Sequence, residues 1–267
     1  MAPTPFEIGS SLLTSSIRMW NGTWGKLPAK TPAQLLELFD REDDGDCRLV
    51  REVLTELNLD ALIYPCPKGG ERFMRKRMQL QARAQQNQPD IPLLHDPNTS
   101  KILCGAQPII EYLFAHYLGQ GVFPRLQPGR LSRISAQLAG LARKLGPIRA
   151  EASIQPRKHL TLYSFESSPY SRLVRERLCA LELPYQLVNV GKLQWGDMGP
   201  AKRRLKPGPY QPQPGSKREQ FQLAHGKVQV PFLIDPNTDV QMFESGDIMH
   251  YLEQTYAKAS AKARASS

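Results

Sequence analysis

The sequence predicts an α/β chain in which one small folding unit, ordered β-α-β-β-β-α, is used twice in tandem, the copies joined by an amphipathic helix. Two exact echoes and a shared periodicity carry this reading. Arg48-Leu49-Val50-Arg51-Glu52 recurs letter for letter as Arg172-Leu173-Val174-Arg175-Glu176, 124 residues later. Asp96-Pro97-Asn98-Thr99 recurs as Asp235-Pro236-Asn237-Thr238 at a spacing of 139. Residues 38–68 share eleven identities with 162–192 over 31 positions, and 92–117 share ten with 231–256 over 26. Composition alone gives roughly one match in fifteen positions. The 15-residue difference between the two spacings places an insertion in the second copy, after Lys192 and before Pro231.

Each element follows from local chemistry. In the second copy, 159–164 is a short run of β-favouring residues. Pro169 then stands in the first turn of a helix, where its missing N–H costs nothing. Val174, Leu178 and Leu181 supply the apolar stripe of that helix, and Pro184 stops it. A second strand covers 185–190. The insertion, with its Pro/Gly-rich stretch 207–215, reads as loop. Residues 228–235 and 240–243 form a hairpin turned at Asp235-Pro236-Asn237-Thr238, and a helix spans 245–256 with Ile248 and Leu252 facing the sheet. The first copy repeats the order with strands at 35–39 and 61–64, a helix through 48–57, a hairpin of 92–95 and 101–104, and a helix over 109–117. Its second strand ends in the turn Pro65-Cys66-Pro67-Lys68-Gly69-Gly70, and the basic, Gln-rich stretch 71–88 admits a further helix.

The expected organisation is an N-terminal arm (1–33), a first copy (34–118), a basic connector (119–158), a second copy (159–258) and a tail (259–267). In the connector, Leu131, Ile134, Leu138, Leu141 and Leu145 share one helical face, expected to pack across one or both copies. The arm is Ser/Thr/Pro-rich. Its Leu12, Leu13, Ile17 and Trp20 fit either a brief amphipathic anchor or a poorly ordered arm with docking aromatics.

Composition removes several function classes. The chain of 267 residues suffices for two small domains. It has no run of eighteen apolar residues, so no transmembrane segment is expected, and no secretory signal at its start. Four scattered cysteines make no disulfide framework, and a reducing cytoplasm fits them best. No Cys-x-x-Cys pair and no finger-spaced histidines occur, so no metal is expected. The net charge of +10 is uneven: 125–158 holds eight basic residues and one acid, and Lys202-Arg203-Arg204-Leu205-Lys206 lies in the insertion. This is a solvated basic face or a contact with a protein or anionic surface; with no nucleic-acid motif or aromatic ladder, nucleic acid is not the expected partner.

The order strand, Ser168-Pro169-Tyr170-Ser171 opening a helix, Val230-Pro231 before a hairpin, and Glu244-Ser245 opening another helix resembles the thioredoxin fold. More narrowly it resembles the N-terminal domain of glutathione transferases and the glutaredoxins. The tandem arrangement resembles the double glutathione-transferase N-terminal-domain proteins of cyanobacteria and plastids. The resemblance implies glutathione, or a similar small thiol, as ligand. It puts Ser168 at the position of the reactive cysteine or catalytic serine, and Ser171 at that of the resolving cysteine. Pro231 takes the place of the cis-proline, Val230 the residue whose backbone pairs with the ligand, and Glu244-Ser245 the pair holding the γ-glutamyl end. Transferases carry a further helical domain after this one; the chain ends at Ser267, so none is expected and a standard transferase activity is not implied.

Elementary chemistry points the same way. A helix N-terminus favours an anion such as a thiolate, and a serine hydroxyl there donates to it. Unpaired backbone beside the proline accepts an extended peptide. A carboxylate suits an ammonium group. Serine at both 168 and 171 excludes dithiol–disulfide exchange in this copy. In the first copy, Asp44-Gly45-Asp46-Cys47 sets carboxylates where a thiolate would come, and Gly105-Ala106 replaces Glu244-Ser245, so that copy reads as a degenerate partner. Cys47, at the resolving position, and Cys66, in an accessible Gly-rich turn beside Lys68, are the candidate reactive thiols. The expected function is a glutathione-binding protein with weak transferase or thiol-related activity; the alternative is a non-catalytic scaffold or interaction protein.

Overall fold

The computed structural model describes residues 4–27, 30–84, 90–141, 148–199 and 208–258. The basic run 202–206, Leu145 and the tail 259–267 lie outside these residues. The chain opens with α1 (Pro5–Ile17), followed by β1 (Leu36–Asp40), α2 (Gly45–Glu56), β2 (Ala61–Pro65), α3 (Met74–Ala84), β3 (Leu93–Asp96), β4 (Lys101–Cys104) and α4 (Ala106–Leu113). The second half repeats this with α5 (Arg130–Leu141), β5 (Leu160–Ser164), α6 (Pro169–Ala180), β6 (Tyr185–Asn189), α7 (Lys217–His225), β7 (Phe232–Asp235), β8 (Val240–Phe243) and α8 (Ser245–Tyr256). None of the described helices is long and apolar enough to cross a membrane.

The eight strands form one mixed sheet in the order β4-β3-β1-β2-β6-β5-β7-β8. The halves meet edge to edge through antiparallel β2 and β6, with Leu62 opposite Gln186, two positions that match at the 124-residue spacing. An edge strand left bare in either half is covered by its counterpart. The apolar core is likewise shared: Val50, Val53 and Leu54 of α2 belong to one buried cluster with Val174 and Leu178 of α6 and with Leu162 and Tyr185 of the sheet.

The repeated pentapeptide lies where the halves meet, and its arginines are fully buried. Arg175 donates to Glu42 at 2.8 and 3.0 Å and lies 2.9 Å from Glu166. Arg51 donates to Glu166 at 3.0 Å and to Asp40 at 2.6 and 2.8 Å. Glu42 and Glu166 match at the same spacing of 124, so each half supplies an arginine to the other half's glutamate. Burial by itself would raise the Glu166 carboxyl, but Arg175, Arg51, Arg48 and Arg172 hold it down at about 2. Asp40 goes the other way, because burial outweighs Arg51 and raises it to about 6.

The second repeated motif is a local lock. Asp96 accepts from the Asn98 N–H, the Asn98 side chain, Tyr112 and Tyr117, tying the β3–β4 turn to α4 and the turn after it. Asp235 does the same with Asn237, Tyr251 and Tyr256.

Of the two readings of the arm the helical one is observed, and two further expectations, on the insertion and the connector, are corrected. The arm contains α1, nucleated by a capping box in which Glu7 N–H donates to Thr4 Oγ1 and Thr4 N–H to the Glu7 carboxylate. The insertion is not all loop: Ser216 caps α7 and Gly226 closes it in a left-handed conformation. The connector helix packs through its small residues, with Ala136 and Ala139 buried while Ile134 and Leu138 are half exposed. Ile134 and Leu138 of the expected face thus point outward, because a close approach to neighbouring helices selects alanine over leucine. Moreover α1 packs on α6 and α5 packs on α2, so each helix preceding one half covers the other half.

Removing one partner from the ion cluster leaves buried, uncompensated charge. Arg175→Met is expected to lower stability by about 3–5 kcal/mol in urea unfolding, and Arg51→Met combined with it to cost less than the sum of the two. The pH dependence has a defined sign. Glu166, depressed from 4.5 to about 2, contributes stability that is present above pH 4.5 and lost as pH falls toward 2. Asp40, raised from 3.8 to about 6, contributes in the opposite sense, with stability lost as pH rises through 6. Urea midpoints across this range should show the acid-side loss in the native sequence and a smaller loss in Glu166→Gln.

Candidate functional site

Strand register brings the second-half residues together. Tyr163 of β5 pairs with Phe232 of β7, and Phe232 pairs with Phe243 of β8. One step beyond these partners lie Pro231 at the start of β7 and Glu244 at the end of β8, while β5 runs out through Ser164 toward Ser168. Ser168, Val230-Pro231 and Glu244-Ser245 therefore stand at one end of the sheet. The first half's counterparts stand at the opposite end, because β2 and β6 run antiparallel.

The Val230–Pro231 peptide is cis, as is Ile91–Pro92 at the matching place in the first half. Among the described residues, the Val230 N–H and C=O enter no backbone hydrogen bond, so this short stretch of backbone is open to an extended ligand. Glu244 is exposed, adopts φ +70°, and accepts a 2.8 Å hydrogen bond from the Gln229 side chain. Ser245, the first residue of α8, is buried, and its position adds the partial positive charge of a helix N-terminus.

Ser168 is the N-cap of α6, and it lies inside the protein at 2% exposure. Its Oγ takes a 3.3 Å hydrogen bond from the Ser171 N–H and lies 2.9 Å from the Ser171 hydroxyl, itself fully buried. The cover is α1 and the chain that follows it. Ser11 donates to the Pro169 carbonyl and Ser15 to the Ser167 carbonyl, each at 2.9 Å. Arg172, the first residue of the repeated pentapeptide, donates to Ser11 O at 2.6 Å and Ser15 Oγ at 3.1 Å. Ser167 N–H donates to Gly22 O, and Gly22 can be nothing larger: at φ +76° a Cβ there would meet Glu166 Cβ at 2.7 Å. The sequence showed the hydroxyls on both sides of this contact but nothing that joined them.

The first half differs in kind. Asp44 caps α2 by accepting from Cys47 N–H at 2.9 Å. The thiol of Cys47 is fully buried, and burial beside Asp40 and Asp44 pushes it well up. Cys66 does not sit in an accessible turn. Its N–H donates to Asp40 O, Lys68 pairs by backbone with 148–150, and only 8% of Cys66 is exposed. Burial raises its thiol to about 11, partly offset by Arg77 rather than by Lys68. Cys104 and Cys179 are buried too. With an aromatic disulfide reagent at neutral pH the folded protein is expected to show no rapidly reacting thiol, and all four cysteines to react after denaturation.

No curated protein and no solved structure matches the chain. The family profile described as glutathione S-transferase, N-terminal domain, matches residues 39–121 and again 162–260, together more than half of the sequence. Each matched stretch contains one cis-proline and one helix opened by the N-cap at 44 or 168. The chain belongs to the glutathione S-transferase N-terminal-domain family.

Proposed function

We propose that the second half binds glutathione or a closely similar γ-glutamyl thiol peptide, and that the chain as a whole is one folding unit used twice. The observation that carries the ligand reading is the meeting of unbonded Val230 backbone with Glu244-Ser245 at one end of the sheet. A tripeptide laid along Val230 would reach the α8 N-terminus with its γ-glutamyl carboxylate and Glu244 with its ammonium group. Serine at 168 and 171 leaves this half no pair of thiols to exchange. The Ser168 hydroxyl is engaged with Ser171 beneath α1, which favours binding over turnover. The matching positions of Glu42 and Glu166, and of Arg51 and Arg175, support the duplicated unit.

One observation favours a second reading, a non-catalytic interaction protein. The N-terminus of α6, where the ligand sulfur would be stabilised, is occupied by the chain's own α1. Calorimetric titration with reduced glutathione separates the two. The ligand reading expects a saturable heat that weakens about tenfold or more in Glu244→Ala/Ser245→Ala, from loss of charge-assisted hydrogen bonds. No heat, or equal heats from both proteins, leaves the interaction protein.

A further inference from the structure

Two helices of this protein are oriented the wrong way round for a water-facing surface. α1 buries Ser10, Ser11, Thr14 and Ser15 and leaves Leu12, Leu13 and Phe6 exposed, Leu13 by 54%. α5 buries Ala136 and Ala139 and leaves Ile134 and Leu138 exposed, each by 51%. They lie side by side and antiparallel, since Thr14 donates to Ala139 O while Arg18, a turn later, donates to Ser132 O and the Ser135 hydroxyl. Their outward faces therefore form one apolar surface above α2 and α6. An exposed apolar face of this kind marks an interaction site.

The turn after α1 extends that surface. Met19 and Trp20 both hold left-handed backbone, φ +51° and +57°, and are 85% and 43% exposed. Consecutive non-glycine residues in this region are unfavourable. Here they project a methionine and a tryptophan outward at the end of the apolar helix. Two half-exposed arginines border this tip, each paired with one carboxylate. Arg125, 46% exposed, reaches Asn21 next to Trp20 as well as Glu56. Arg133, 44% exposed and paired with Asp46, sits one residue from Ser132, which touches Arg18. The chain as a whole carries a net charge of +10.

We infer that the α1–α5 face docks on an anionic lipid surface, the two helices lying in the interface plane. Leucine and isoleucine enter the acyl boundary, Trp20 takes the headgroup level, and the arginines at the edge meet the anionic headgroups. The charge decides between occupants. A second copy of this chain brings the same net charge of +10, whereas an anionic bilayer brings the complement.

The test uses the full chain without glutathione, so its outcome is independent of the ligand reading. Vesicles of phosphatidylcholine alone and vesicles doped with phosphatidylglycerol are sedimented with the protein at low and high salt. Binding to the anionic vesicles only, weakened by salt and by Arg133→Gln and abolished in Leu13→Ser/Leu138→Ser, is expected. The double variant should keep the native thermal midpoint, since both side chains are solvent-facing. Absence of sedimentation, equal sedimentation with neutral vesicles, or full binding by the double variant overturns the inference. So does a concentration-dependent dimer in light scattering that the double variant abolishes, which would make the occupant a second copy.

Discussion

The contact on which the molecule depends is the four-sided ion cluster of Glu42, Arg51, Glu166 and Arg175. Each arginine reaches the glutamate of the other half, and all four side chains are within 3% of complete burial. Desolvating such groups costs several kcal/mol per ion, which the Coulomb attraction offsets only when every partner is in place. Its structural consequence is alignment. The β2–β6 edge alone would tolerate a two-residue slip, which keeps side chains on their proper faces. The cluster does not tolerate it, because a slip of that size moves each guanidinium away from both carboxylates.

Alignment of the halves in turn places the segments that cross between them. α1 and residues 22–25 lie over the loop before α6, while residues 148–150 pair with Lys68 beside the matching loop of the first half. Backbone bonds make the crossings at Lys68 and Lys192, whereas α1 is held by serine hydroxyls that donate to the Pro169 and Ser167 carbonyls. A helix attached through hydroxyls has its apolar side left over. The burial of Ser168 and the exposure of Leu13 thus have a common origin in the way α1 is mounted.

The cover leaves the other part of this end of the sheet exposed. Glu244 is exposed and the Val230 backbone is open, whereas Ser168 and Ser171 lie beneath α1. In this half, then, the end at Val230 and Glu244 is left uncovered, while the chain's own α1 lies over the α6 N-terminus. The first half differs at both places: Gly105 stands where Glu244 does, and Asp40 and Asp44 lie beside Cys47.

The sequence by itself determined the strands, the order of elements, the proline of each hairpin and the grouping of Glu244 with Ser245, because period-2 and period-3.6 patterns and turn residues act locally. It also carried two signals that went unread: Thr4-x-x-Glu7 and Ser216-x-x-Glu219 are capping patterns, and both begin helices assigned to arm and loop. Only the tertiary structure decided what the repeated pentapeptide is for, that Cys66 is inside, and which face of the connector is buried. Those depend on what approaches from more than a hundred residues away, such as Glu166 on Arg51 or Ser11 on Pro169. Burial and charge pairing are properties of the assembled neighbourhood. A leucine stripe shows that a helix has an apolar face; the neighbours decide whether that face is covered.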